Sequence, residues 1–202
     1  MSIVTTTIDA RLDERSGIVS VRRGRFDGLS ILFHWVTVLL VTALFVVAWL
    51  RGASEVGASA KALLTLHRSL GVTVWGLTLA RLAWRSTFAH LPPFPPSMGR
   101  PHQWGAKASE YGLYGLLALQ PLTGLAQTLY LGRPFALFGQ QIPAVLPRDK
   151  PLMHVFNQVH EWGAWTLLGL IGLHATAALI HRFVLRDDVF QAMLPWTRPA
   201  ER

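Results

Sequence analysis

Four long apolar runs are the feature of this sequence that most restricts its possible folds. Each run is close to the roughly 20 residues that an α-helix needs to cross the hydrocarbon core of a bilayer. We predict helices at residues 29–50, 62–84, 104–131 and 155–185. The chain is only 15% charged, whereas about a quarter of the residues in a soluble domain are charged. The predicted fold class is therefore all-α, an integral membrane four-helix bundle in which residues 29–195 form one domain.

The segments outside this bundle are basic. Residues 1–28 contain five arginines and lack the apolar core of a signal peptide, so we predict a disordered basic cytoplasmic tail there and a second short tail at residues 196–202. Thirteen Lys and Arg residues lie on the side that holds both termini and six lie on the other side. This bias predicts a multi-pass protein with both termini in the cytoplasm. The net charge of +8 is assigned to topology and lipid contact rather than to nucleic-acid binding.

Four histidines lie inside the predicted membrane helices, where ionisable side chains are costly and usually functional. His160 and His174 are 14 residues apart, which places them about 21 Å apart along nearly the same face of one helix. In the predicted topology, His34 shares the inner, cytoplasmic depth of His174, and His67 shares the outer, periplasmic depth of His160. The sequence therefore predicts two bis-histidine sites, His34 with His174 and His67 with His160.

Paired histidines at two depths suit two b-type haems. Iron held between two imidazoles has no open position, which favours electron transfer over oxygen binding. The chain has no cysteine, which excludes cysteine-ligated iron–sulfur clusters and covalent haem attachment. A zinc site fits less well, because each depth offers two histidines and the carboxylate of Glu161 belongs to the outer end alone. Polar contacts between helices would account for one membrane histidine, but poorly for four that match in depth and face.

Two further polar residues extend these faces toward the cytoplasm. Arg81 follows His67 by 14 residues, so it reaches the inner depth either as the partner of a haem propionate or as a basic anchor at the membrane surface. His181 follows His174 by seven residues, about 10 Å nearer the cytoplasm. It either hydrogen-bonds a quinone and handles the protons of quinone reduction, or is an interface histidine without a ligand.

Several short motifs follow one another in an order and spacing that resemble a known family. They are Ser30-Ile-Leu-Phe-His34-Trp35, His67-Arg-Ser69-Leu-Gly71, Arg81-Leu-Ala-Trp-Arg85, Pro121-Leu-Thr-Gly124, Gly132-Arg-Pro134-Phe-Ala-Leu-Phe138-Gly139, His160-Glu161, Gly172-Leu-His174, His181 and Met193-Leu-Pro195. Together they resemble the bacterial cytochrome b561 family over about residues 28–195. The resemblance implies haem b ligation at the four membrane histidines and ubiquinone on the cytoplasmic side near His181. It also implies, for the superoxide oxidases of the family, electron transfer from periplasmic superoxide through both haems to ubiquinone.

The leading hypothesis is an enzyme of the bacterial inner membrane, a superoxide:ubiquinone oxidoreductase with a small periplasmic electron donor. Basic residues at the predicted outer face would steer an anion such as superoxide toward the outer haem; they are Arg51, Lys61, Arg68, Arg133, Arg148 and Lys150. The alternative is a haem-bearing membrane anchor subunit for a periplasmic redox protein. A third hypothesis is a non-redox bundle, for which the purified protein would show no haem spectrum.

Overall fold

The computed structural model describes residues 25–54, 57–89, 91–95 and 98–195. Its long helices are α1 (Gly28–Ala53), α2 (Ala58–Thr87), α3 (Arg100–Tyr130) and α4 (Lys150–Ile180). Two short antiparallel strands, β1 (Phe135–Leu137) and β2 (Gln140–Ile142), lie between α3 and α4. A π-helix (His181–Leu185) continues α4, and a 3₁₀-helix (Gln191–Met193) follows it. The predicted four-helix architecture is confirmed, whereas residues 1–24 and 196–202 of the predicted tails lie outside the described residues.

All four helices begin earlier than predicted. At α1, α3 and α4 a capping aspartate or a proline, rather than apolar periodicity, sets the first turn. At the start of α1, Oδ1 of Asp27 accepts a hydrogen bond from the Ser30 N–H at 2.8 Å, which satisfies one of the free donors of the first turn. At the start of α3, Pro101 occupies the first turn, where the missing N–H costs no helical hydrogen bond. The proline-rich connection before α3 therefore ends at Pro101, which lies in the first turn of that helix.

Neighbouring helices pack in chain order. Contacts join α1 to α2, α2 to α3 and, most extensively, α3 to α4, whereas α1 and α4 make little direct contact. One residue from each helix forms the buried core: Val41, Val74, Leu117 and Leu167. Short connections make sequential helices antiparallel. We call the end of the bundle that holds the two strands the hairpin end, and the opposite end, where α1 begins and α4 finishes, the tail end.

The surface of the bundle is apolar. Large hydrophobic side chains are exposed on every long helix, and Trp49 and Trp162 are both 73% exposed. Helix α1 and the stretch Lys150–Leu185 are long and apolar enough to cross a membrane. Helices α2 and α3 have 30 and 31 residues, about 45 Å at 1.5 Å per residue, but carry more polar side chains. An apolar surface of this extent fits contact with lipid.

The segment after the π-helix returns to the bundle and closes the tail end. The indole Nε1–H of Trp35 donates a hydrogen bond to the Met193 carbonyl at 2.9 Å, and the guanidinium of Arg25 donates to the carbonyl of Leu194. These contacts join the C-terminal segment to the first turns of α1, directly beside His34.

A strained turn positions the segment that precedes α4. Gly132 has a φ of +63°, and a Cβ atom added there would lie 2.6 Å from the backbone nitrogen of Arg148. The strands then reach α2, where the Phe138 N–H donates to Oγ of Ser69 at 2.8 Å. Only glycine satisfies both the positive φ and the close backbone approach at position 132.

We expect Gly132→Ala to destabilise the protein more than Gly139→Ala. Gly139 also has a positive φ, +78°, but no atom lies within 4 Å of an added Cβ. Both alanines incur the left-handed backbone penalty of about 1–2 kcal/mol, and only Gly132→Ala adds a clash with backbone. Thermal unfolding in detergent, followed by circular dichroism, measures the difference. Equal midpoints for the two variants would contradict the role given to the close approach at Gly132.

Candidate functional site

A cavity of about 450 Å³ lies between the four helices in the half of the bundle nearer the hairpin end. Most of its wall is apolar, and every long helix contributes to it. Five charged or titratable residues line the cavity: Arg51, His67, Arg68, His160 and Glu161. Its volume lies within the range of small-molecule and cofactor pockets, about 300–1,000 Å³.

The rings of His67 and His160 face each other at this cavity. Their centroids are 6.2 Å apart and their planes are nearly perpendicular, at 83°. A metal–imidazole bond is about 2 Å long and the ring centre lies about 1 Å beyond the nitrogen, so two imidazoles on opposite sides of one metal ion have centroids about 6 Å apart. The spacing of His67 and His160 therefore fits a site in which both imidazoles would hold one iron, as in a bis-histidine haem.

The composition of the site also favours axial ligation over a metal cage. No group of three or more His, Cys, Asp or Glu side chains that could hold a metal ion occurs in the part of the chain that the structure describes. The two histidines thus supply only two ligands, and a planar macrocycle such as haem brings the remaining four nitrogen ligands itself.

Helix α3 holds the His160 ring in position. Nδ1 of His160 lies 3.1 Å from Oγ1 of Thr123 and 3.0 Å from the carbonyl oxygen of Gln120. Nδ1 is therefore occupied by α3, and Nε2 remains for a ligand in the cavity. A second hydrogen bond joins α3 to the backbone of α4, because Nε2 of Gln120 donates to the His160 carbonyl at 2.9 Å. Hydrogen bonds of this kind orient metal-binding imidazoles in proteins.

Glycines allow α3 and α4 to approach this closely. A Cβ atom added at Gly124 would lie 2.9 Å from Cε1 of His160, and one added at Gly163 would lie 2.3 Å from Oε1 of Gln120. A side chain at position 124 would displace the His160 ring, and one at position 163 would displace the Gln120 side chain that supports it. These two glycines therefore set the position of the His160 imidazole as directly as its hydrogen bonds do.

The partner ring, His67, has a buried Nδ1 atom that makes no hydrogen bond of normal geometry within the described residues. The Leu44 backbone on α1 is close enough to interact with this ring. A buried, incompletely satisfied imidazole nitrogen is costly, which is expected at a site built for a ligand rather than for packing. His67 would lower this cost by holding a metal through Nε2, with its Nδ1–H directed to a backbone carbonyl.

Two arginines make the hairpin end of the cavity positive. Nε of Arg68 donates to Oγ1 of Thr128 at 3.3 Å, and its guanidinium lies 5.6 Å from the centre of the Phe135 ring on β1. Arg51 reaches the same cavity from α1. Both were predicted to lie at the outer face, but the sequence did not predict that they would line a cavity with the histidines.

The second predicted pair lies toward the tail end, on the two helices that make little direct contact. His34 on α1 is within electrostatic range of His174 and of Arg81, and its ring packs edge-on against Trp35 at 5.5 Å. The side chain of His34 is half-buried, whereas that of His174 is exposed. His34 and His174 therefore lie near enough to interact electrostatically, in a more open setting than the hairpin-end pair. Their pairing as ligands stays a prediction.

Arg81 is available for an anionic group beside this pair. Its guanidinium lies 5.1 Å from the centre of the buried Tyr114 ring, and it makes no ion pair within the described residues. The neighbouring Arg85 is already neutralised, because its two terminal nitrogens bind the two oxygens of Glu110 at 2.8 and 2.9 Å. A carboxylate entering this region would therefore meet, in Arg81, a guanidinium that has no ion pair among the described residues.

His181 lies beyond the second pair, at the junction of α4 and the π-helix. Its Nδ1 atom is 2.7 Å from Oδ2 of Asp187. The sequence predicted a polar role for His181 but did not predict this partner. The residues that hold His160 were also missed: Thr123 and Gly124 stood in the motif Pro121-Leu-Thr-Gly124 without an assigned function, and Gln120 precedes it.

Comparisons with known proteins show which family this chain belongs to. The family model for prokaryotic cytochrome b561 matches residues 25–196. Cytochrome b561 homolog 1 of Escherichia coli strain K12 is 29% identical over 85% of this chain and 97% of its own length. A protein of Yersinia pestis named probable superoxide oxidase CybB is 27% identical over 86% of this chain and 98% of its own. The chain therefore belongs to the prokaryotic cytochrome b561 family, bacterial membrane proteins that carry b-type haem and transfer electrons.

Proposed function

We propose that this protein carries electrons across the membrane through two b-type haems, from superoxide at the hairpin end to ubiquinone at the tail end. The hairpin end faces the periplasm and the tail end faces the cytoplasm. The 6.2 Å separation of the His67 and His160 rings is the observation that carries the proposal. At this separation both imidazoles would hold one iron, and the rings lie at a cavity lined by all four helices.

The second haem is assigned to His34 and His174. They lie within electrostatic range of each other on two helices that make little direct contact. The unpaired Arg81 is suited to a haem propionate, since guanidinium–carboxylate pairs are strong and directional. Helix α4 supplies one ligand to each site, so the two sites are stacked along the bundle.

The protein residues define what each site can do. When bound, each haem supplies an iron that gains or loses one electron without an open coordination position. The paired histidines would hold that iron, Thr123 and Gln120 fix the ring of His160, and most of the cavity wall is apolar. This arrangement supports electron transfer rather than oxygen binding.

Superoxide is the proposed donor because the hairpin end of the cavity is cationic. Arg51 and Arg68 line the cavity and outnumber the carboxylate of Glu161, so the local field attracts a small anion. The relative named probable superoxide oxidase supports the same donor. Two superoxide ions each give up one electron and become O₂, and one ubiquinone takes up these two electrons and two protons to become ubiquinol.

Ubiquinone is proposed to bind at the tail end near His181. The orientation follows from the excess of Lys and Arg on the side of the two termini, thirteen against six. The protons of quinone reduction then come from the cytoplasmic side. Nε2 of His181 makes no hydrogen bond in the described part of the chain, because only Nδ1 is engaged.

The test is haem quantitation followed by turnover with the purified protein in detergent. We expect about two non-covalent haems per chain and a reduced-minus-oxidised spectrum of b type. With superoxide generated enzymatically, we expect reduction of a short-chain ubiquinone at one quinol for every two superoxide ions. The rate is expected to fall as ionic strength rises, because salt screens the attraction of the anion to Arg51 and Arg68.

Two outcomes would contradict this function. The first is a protein that contains haem but reduces quinone no faster than superoxide does by itself in solution. This result would show that the protein does not catalyse the proposed reaction. If the same protein reduced quinone only with a co-purified periplasmic redox protein, the haem-bearing anchor subunit would become the better description. Boiled protein provides the control for free haem, which can react with superoxide without any fold.

A further inference from the structure

The contact between His181 and Asp187 has a geometry that the proposed electron path does not use. Nδ1 of His181 and Oδ2 of Asp187 are 2.7 Å apart, and their side chains are only 18% and 10% exposed. The second carboxylate oxygen, Oδ1, accepts a hydrogen bond from the Val189 N–H at 3.0 Å. Asp187 is therefore fixed by its own backbone neighbourhood while it holds one particular nitrogen of the imidazole.

An unusual backbone brings these two residues together. The α-helix gives way to a π-helix at His181–Leu185, and Arg186 then adopts a left-handed conformation with a φ of +52°. This turn directs the chain back, so that the Asp187 N–H donates to the His181 carbonyl at 3.1 Å. Single π-turns and left-handed non-glycine residues cost free energy and occur often at functional sites.

We infer that Asp187 is a positioning residue for quinone reduction, which holds the His181 imidazole so that Nε2 is presented to a quinone carbonyl oxygen. This inference rests on the proposed function. With Nδ1–H donating to Asp187, proton exchange is confined to Nε2, which makes no hydrogen bond within the described residues and is not fully buried. Fixing one nitrogen by a carboxylate is a common way to select the tautomer of the other.

The proposed role of His181 and Asp187 is to supply the protons that quinone reduction consumes. A quinone that receives two electrons takes up two protons to become a quinol, and the electrons come from the donor at the hairpin end. When it is protonated on both nitrogens, His181 delivers its Nε2 proton to a quinone oxygen and becomes the neutral Nδ1–H tautomer. It then regains a proton on Nε2 from the cytoplasmic water. Nδ1–H stays with Asp187 throughout, so the ring does not need to rotate between the two deliveries.

The test compares three variants at the pair with one control. We expect His181→Ala to lower the turnover number for quinone about 100-fold. Asp187→Ala is expected to lower it about 10-fold, because the ring remains but loses its orientation. Asp187→Asn keeps an oxygen that accepts from Nδ1–H and is expected to restore most of the turnover. Asp188→Ala, at the exposed next residue, is the control and is expected to match wild type.

Three readouts separate positioning from a merely structural role. In Asp187→Ala, the turnover number is expected to fall while the KM for quinone stays within about two-fold, and the haem spectrum is expected to stay unchanged. Nuclear magnetic resonance of ¹⁵N-histidine-labelled protein, with the signal assigned by His181→Ala, is expected to show the Nδ1–H tautomer in wild type and its loss in Asp187→Ala. The nuclear magnetic resonance measurement is made without quinone reduction, so it does not depend on the activity of the protein.

The outcomes distinguish this inference from the function on which it rests. Normal quinone turnover in His181→Ala, with its haems intact, would overturn both the quinone site and the role of Asp187. A slow His181→Ala together with a normal Asp187→Ala would overturn only the positioning role. Loss of haem in Asp187→Ala, or an Nδ1–H signal that persists without the carboxylate, would equally overturn it.

Discussion

His67→Ala and His160→Ala are each expected to yield a protein with half the haem of the wild type. The rings are 6.2 Å apart beside one cavity, so either substitution leaves a single axial ligand for the haem between them. The other site lies farther along α4, about 21 Å away at 1.5 Å per residue, and is expected to keep its haem. Pyridine haemochrome assay of purified variants, normalised to protein, measures the ratio.

His154→Ala is the matched control for this prediction. His154 lies on α4 near the hairpin end, is exposed, and does not line the cavity, so its replacement is expected to leave both haems in place. Either variant of the cavity pair retaining the full haem content would show that His67 and His160 do not ligate a haem. Loss of all haem from one of them, with the helical circular dichroism spectrum unchanged, would show that the two sites do not fill independently.

The sequence was sufficient to predict the bundle and the closeness of His67 to His160, because both follow from helical periodicity. The pairing of these residues as haem ligands stays a prediction. A spacing of 14 residues returns nearly to the same face of a helix, so His160 and His174 are fixed relative to each other once α4 is recognised. Antiparallel packing of neighbouring helices then gives His67 the depth of His160. Local geometry and topology together were enough, and the contact between the rings of His67 and His160 agrees with them.

The supports of the site could not be predicted in this way, because they depend on contacts between helices. The bonds from Thr123 and Gln120 to His160 require that α3 approach α4 within hydrogen-bonding distance. Gly124 and Gly163 permit that approach. Glycine is common in membrane helices, however, and the sequence does not show which residue of another helix will pack against it. The return of the chain that joins His181 to Asp187 depends on a π-turn, which apolar periodicity does not show.

His34→Ala and His174→Ala are expected to remove the other haem, with the same spectral change in both variants. The two residues are on different helices and lie within electrostatic range of each other, beside Arg81. His174 is exposed, and α1 and α4 make little direct contact, so this site has surroundings unlike those of the apolar cavity at the hairpin end. Because the potential of a haem depends on its burial and hydrogen bonds, the two losses are expected to differ in redox titration.

Double substitutions give this pairing its strongest test. If His34 and His174 hold the same haem, the double variant His34→Ala/His174→Ala contains as much haem as either single variant, since the second substitution has nothing further to release. The double variant His34→Ala/His160→Ala removes one ligand from each site and is expected to contain no haem. Residues that share one ligand are non-additive and residues at separate sites are additive. Haem retained by the His34/His160 double variant, or lost entirely from the His34/His174 double variant, would mean that the four histidines are paired differently.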